Sequence, residues 1–346
     1  RVDELSLMNP VPGTLAYRTL MHEIGHTLGL FHPGNYNVQG SPPPPPYLPP
    51  DLDHSGNTVM SYFPRPDGTW PAAPQAFDIR ALQYAYGLPE PGRIGNLTYG
   101  SEIGETLSGT PDTDYVHGQD GSDAIALDAG DDGARGNTGD DTIVGDAGND
   151  TLFGNEHADL ILAGDDADMV DGGEDGDDVN GNRGSDVVRG GAGADIVRGG
   201  QGDDLVYGDD GDDWHVNGNI GDDSVFGGAG NDSLHGGPDM DTLFGGDGDD
   251  RLSGDLGDDW LIGGDGGDRY VILANGGDDI VADFDESDVV EIASNLNGSG
   301  IVDLAAAMAH ATDGPLGVII DLGGGNHLTI ANVARDQLGA SDILVV

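Results

Sequence analysis

Residues 190–207 read "GGAGADIVRGGQGDDLVY", two nine-residue units laid end to end. A third copy, "GGAGNDSLH", stands at 227–235. The frame G-G-x-G-x-D-x-U-x, with U apolar, extends far to either side of these copies. Twelve units start at Gly109 and step by nine to Gly208. One extra residue, read as Asn217, then shifts the frame, and six more units run from Gly218 to the one starting at Gly263. All eighteen carry aspartate at the sixth place: Asp114, Asp123, Asp132, Asp141, Asp150, Asp159, Asp168, Asp177, Asp186, Asp195, Asp204, Asp213, Asp223, Asp232, Asp241, Asp250, Asp259 and Asp268. Sixteen of the eighteen open with glycine, and the eighth place is apolar or aromatic in every unit except at His215. A slip of one residue inside a strand reverses its faces, so the insertion is expected in a turn.

The residue types explain themselves once calcium is considered. Glycine lets the backbone turn tightly and aim its carbonyls inward. Calcium takes six to eight hard oxygen ligands, which carbonyls and carboxylates supply. A single apolar residue per unit faces the space between two small sheets while its neighbours face water. The unit resembles the RTX nonapeptide, and the resemblance implies a parallel β-roll with Ca²⁺ held between units i and i+2 by the eighteen aspartates. At most sixteen ions then fit, two fewer than the units. The consecutive units "GNEHADLIL", "AGDDADMVD" and "GGEDGDDVN" (154–180) lack the fourth-place glycine, and their sites are expected to be weaker or empty.

Composition agrees with this reading. Glycine supplies 62 of 346 residues, more than twice its usual share of about 7%. The net charge of -52 argues against nucleic acid as a partner, because phosphates would be repelled. In so acidic a chain disorder is the first expectation, but regularly spaced aspartate is not a blocked acidic tail. There are no cysteines, so neither disulfides nor thiolate ligands enter. The opening "RVDELSLMNPVPGTLAYRTL" has no apolar core of a signal peptide. Nowhere do 18 apolar residues run together as a membrane span requires.

A second motif precedes the repeats. "MHEIGHTLGLFHPGNY" (21–36) sets His22 and His26 four residues apart, on one face of an expected helix. Gly29 ends that helix and lets the chain double back, which brings His32 to the same ion. Three imidazoles leave a fourth position on zinc open for water, the arrangement of a catalytic site. Glu23 then stands beside the first ligand as the base that takes a proton from that water. His54 and Asp53 in "DLDHSGN" are assigned to local hydrogen bonding.

"HEIGHTLGLFHP" with "VMSY" (59–62) is similar to the metzincin zinc peptidases, and to the serralysins among them. That resemblance implies a Met-turn at Met60 beneath the zinc and makes Tyr62 an extra, displaceable zinc ligand that supports the oxyanion. "APQAFDIRALQYAYG" resembles the helix that follows in serralysins, and the terminal "SDILVV" resembles the apolar C-terminus they present to a one-step (type I) bacterial exporter.

The expected architecture has three parts. Residues 1–92 form the C-terminal part of an α+β metzincin peptidase domain, interrupted by proline-rich loops. Residues 93–274 form the all-β parallel roll. Residues 275–346 form a β-rich cap and secretion-signal region, with short strands at "DDIVADF", "GVIIDL" and "HLTIANV" and a helix at "DLAAAMAHA". The function implied is that of a secreted, extracellular zinc metalloendopeptidase acting on polypeptides, with one Zn²⁺ and several Ca²⁺. The alternative is a non-enzymatic calcium-binding protein that carries a peptidase remnant for export or adhesion. Because the motif starts at residue 21, the sheet that precedes it in serralysins is expected to be missing, leaving the chain weak or inactive alone.

Overall fold

A computed structural model describes residues 97–346, which lie in one unit, Gly95–Val346. The expected α+β peptidase part lies outside the described residues.

Each nonapeptide makes one strand and one turn. Strands Val187–Ala192, Ile196–Gln201 and Leu205–Asp210 show the rule, six residues of strand separated by three of turn. The eighth and first places of the frame point inward and the seventh and ninth outward, so the strands alternate between half-buried and buried positions. Successive strands go to opposite sheets, and each pairs in parallel with the next but one, as Val187 does with Leu205. Two sheets result, of fourteen and twelve strands, and together they make a parallel β-roll.

The turns depend on two left-handed positions, the second and fourth places. Gly191 and Gly193 have φ of 111° and 156°. Where a left-handed second place is not glycine it is Asn or Asp, as at Asn182 and Asp209, the types that tolerate that region best, except at Gln119. The fourth-place residues His157, Asp166 and Asp175 also sit there, at φ of 78°, 80° and 77°.

The core of the roll is a single file of eighth-place side chains, among them Val188, Val197, Val206, Val225 and Leu234, all fully buried. Leu127 and Ala163, which replace the opening glycine, point inward and are buried too.

The frame shift lies in a turn, as expected, but the inserted residue is not Asn217. Asn217 is in strand His215–Ile220 and pairs with Arg198 and His235. The extra residue is Trp214, which lengthens the turn before that strand to four residues (211–214) and stands 75% exposed. Val216, not His215, therefore fills the inward eighth place, and His215 faces out. The apolar file has no break there.

Beyond the repeats the core thickens. Hairpin Gly317–Gly323 and Asn326–Ala331 closes the larger sheet, with Asn326–Ala331 parallel to Asp278–Val281. Helix Leu304–His310 starts at Asp303, whose carboxylate accepts from Ala306 N at 2.8 Å. Strand Ile343–Val345, from "SDILVV", completes the smaller sheet beside Val289–Ile292. Leu296, Ile301, Val318, Ile320, Leu328 and Ile330 share this core, so the last turns are covered.

Candidate metal centre

The turns bring the repeat aspartates into two files of nine, one along each edge of the roll. Every one of the eighteen is at most 4% exposed. In each file the aspartates are linked turn to turn. Asp177 N donates to Asp195 Oδ1 at 2.8 Å, and Asp195 N to Asp213 Oδ1 at 2.9 Å. The same bond recurs from Asp114 through Asp250 N to Asp268 Oδ1. This uses one oxygen per carboxylate. The other is buried without a partner in all eighteen: Oδ1 in Asp114, where Oδ2 is taken by Thr110, and Oδ2 in the rest.

An ionised carboxylate stripped of water and left unpaired costs on the order of several kcal/mol. Eighteen of them in two lines have a physical reason only if a cation compensates. The surrounding space fits one. A methyl group on Gly181 would lie 2.5 Å from both Asp186 Oδ2 and the carbonyl oxygen of Gly199. On Gly227 it would lie 2.5 Å from Asp232 Oδ2 and from Gly245 O. The opening glycine thus leaves free the space where a carboxylate and a carbonyl two units further on converge. The donor set is all oxygen, as a hard divalent ion prefers.

The electrostatics point the same way. Burial, partly offset by the backbone hydrogen bond and reinforced by neighbouring aspartates, pushes Asp168, Asp177, Asp241 and Asp259 up to about 8. Asp150, Asp159, Asp204, Asp213 and Asp250 rise to about 7 for the same reasons. Without a cation these carboxyls hold on to their protons towards neutral pH, and a bound divalent ion would take the proton's place.

Two members of the files escaped the repeat count. Asp259 N donates to Asp279 Oδ1 at 3.3 Å and Asp268 N to Asp288 Oδ1 at 2.9 Å, so both files run one turn into the cap. The signal was present: "SDVV" at 287–290 copies "SDVV" at 185–188, displaced by insertions. At the other end Glu105 takes the aspartate's place, with its N–H on Asp123 Oδ1 at 2.8 Å. Asp159, Asp168 and Asp177, in the three consecutive units 154–180 that lack the fourth glycine, present the same unpaired oxygen as the others. His22, Glu23, His26, His32, Met60 and Tyr62 lie outside the described residues.

Comparison with known proteins agrees with this geometry. The RTX calcium-binding nonapeptide repeat matches residues 99–134, 135–170, 171–206, 180–214, 215–239 and 235–270, so the chain carries RTX calcium-binding repeats. Serralysin of Proteus mirabilis is 41% identical over 99 residues, covering 26% of this chain and 20% of that protein. Metalloprotease AprA of Pseudomonas entomophila is 40% identical over 105 residues, 27% of this chain and 22% of that protein. The chain spans about a fifth of the length of these relatives. Among solved structures, extracellular lipase LipA from Serratia marcescens is matched over 60% of this chain and 45% of that one, at 16% identity and a TM-score of 0.24. Among the described residues no helix is long and apolar enough to cross a membrane.

Proposed function

We propose that this chain is the repeat-bearing part of a secreted zinc endopeptidase of serralysin type, in which calcium folds and stabilises the roll. The observation that carries the calcium reading is the double file of buried carboxylate oxygens without partners. Asp114 through Asp268 at nine- or ten-residue steps supply the carboxylates, and the opening-glycine carbonyls two units on supply further oxygens. Ion binding then contributes the free energy that a one-residue core lacks. Sites at Asp132 and Asp168 should bind calcium less well, because Leu127 and Ala163 stand where the other units have glycine.

The peptidase reading rests on "HEIGHTLGLFHP" and "VMSY" and is supported by the names of the relatives. His22, His26 and His32 hold one zinc ion, which supplies Lewis acidity when bound, and Tyr62 is its displaceable fourth protein ligand. Glu23 takes a proton from the attacking water, and Met60 packs beneath the site. Residues 1–92 belong to the peptidase domain, 93–274 to the roll and 275–346 to the cap. Polypeptides are the substrate. A roll that needs calcium remains unfolded where calcium is scarce, which suits passage through a type I exporter and folding outside the cell.

The short overlap with the relatives favours a second reading, a calcium-binding roll used for export or adhesion without peptidase activity. Zinc content and hydrolysis of a denatured protein substrate by residues 1–346 separate the two. Stoichiometric zinc with chelator-sensitive hydrolysis supports the enzyme, and folded protein that takes up no zinc overturns it.

A further inference from the structure

The insertion of Trp214 has a chemical consequence on the outer face of the smaller sheet. By moving Val216 into the core it turns His215 outward, onto the strand next to His235. Strands His215–Ile220, Ser233–Pro238 and Arg251–Leu256 are neighbours, with Asn217 opposite His235 and His235 opposite Ser253. His215, His235 and Asp255 therefore form a diagonal across three strands. The two imidazole rings are 5.2 Å apart, centre to centre, and tilted by 44°.

The hydrogen bonds prepare His235 as a ligand. His235 Nδ1 lies 3.2 Å from Asp255 Oδ2. A carboxylate only accepts, so the ring carries its N–H at Nδ1 and leaves a lone pair on Nε2. Asp255 is itself held by the Ser253 hydroxyl at 2.6 Å. A carboxylate behind an imidazole is the support that metal-bound histidines commonly have. His215 Nε2 accepts from the Asn217 amide nitrogen at 3.2 Å, a surface bond that a metal ion on this nitrogen would displace. Arg198, the nearby cation, is bound to Asp178 at 2.5 Å.

We propose that His215 and His235 bind one borderline divalent transition-metal ion, Zn²⁺ or a close relative, at a site separate from the calcium files. Imidazole nitrogens suit zinc, nickel and copper and are poor calcium ligands, while the files offer oxygen alone. At this ring separation two imidazoles can share one ion bound at about 2.0–2.1 Å from each nitrogen. Among the described residues no three candidate ligands already surround one point, so water completes the coordination. Asp255 is a positioning residue.

The test uses the whole chain, residues 1–346, in saturating Ca²⁺, titrated with Zn²⁺ alone. The wild type should bind one equivalent more than the His215→Gln/His235→Gln variant, a difference that zinc bound elsewhere in the chain leaves unaffected. Asp255→Asn should retain that equivalent but weaken it by about 10–100-fold. The calcium-loaded β spectrum should be the same in all three. Equal zinc uptake by wild type and double variant overturns the proposal. Should the variant fail to fold, the wild type still decides, because zinc must shift the ring signals of His215 and His235 in a ¹⁵N spectrum, and unmoved signals overturn the site.

Discussion

Asp195 Oδ1 accepts the backbone N–H of Asp177 at 2.8 Å, while Asp195 Oδ2, also buried, has no partner. One oxygen holds the preceding turn in register and the other is left for an ion. This division, repeated along both edges, makes the aspartate file both a structural ladder and a row of half-built ligand sites.

Calcium removal should dissolve the roll. With a strong chelator, residues 109–271 should lose β structure cooperatively and regain it as Ca²⁺ is restored, because bound ions supply the folding free energy. Circular dichroism follows the change. A β spectrum indifferent to complete calcium removal would contradict the role given to the files.

Acid should partly replace calcium. Burial holds Asp168, Asp177, Asp241 and Asp259 near 8 in the folded, metal-free roll, against about 3.9 in an unfolded chain. Between these values the folded state binds more protons, so metal-free stability falls as pH rises through the window. In chelator, β structure with a thermal transition should therefore return at pH 5, whereas at pH 8.5 the roll should stay unfolded. With calcium present the trend should reverse, since protons then displace the ion.

Asp195→Ala should be more damaging than Asp195→Asn. The alanine removes both the acceptor for Asp177 N–H and the free oxygen, leaving a buried donor unsatisfied at about 1–3 kcal/mol. The asparagine keeps a neutral acceptor. Both should lower the calcium stoichiometry measured by calorimetry, but only the alanine should also lower stability in chelator at pH 5. Equal loss by both would remove the ladder role.

Leu243 is fully buried in the single file of core side chains. Leu243→Ala should cost about 2–5 kcal/mol, with no second layer to close the cavity. The expected reading is a raised calcium midpoint for folding, not a lowered ion count.

If the proposed zinc reading holds, Glu23→Ala should retain zinc and lose hydrolysis, because in that reading the three imidazoles would hold the ion and the carboxylate would move the proton. Metal analysis alongside a casein-type assay checks it. Undiminished turnover would remove Glu23 from the chemistry.

Much of the site was legible from spacing. An aspartate held at the sixth place of nine, an apolar residue at the eighth and glycine at the first specify a strand, a turn and an oxygen donor without reference to distant residues, since each unit touches mainly its neighbours. The cap was legible more coarsely: the helix at "DLAAAMAHA" and the strands of "GVIIDL" and "HLTIANV" are present, but Asp279 and Asp288 were missed because insertions displaced their frame.

Periodicity determined the nine-residue unit, its aspartate and its thin core, because those features repeat locally, while the parallel roll was implied by the resemblance of that unit to the RTX nonapeptide. Tertiary structure decided which residue was extra. A count along the chain ends at Asn217, but burial selects Val216 for the core and expels Trp214 into the turn, since an inward imidazole would break the apolar file. Only that choice brings His215 beside His235, a contact between strands that spacing along one chain does not encode.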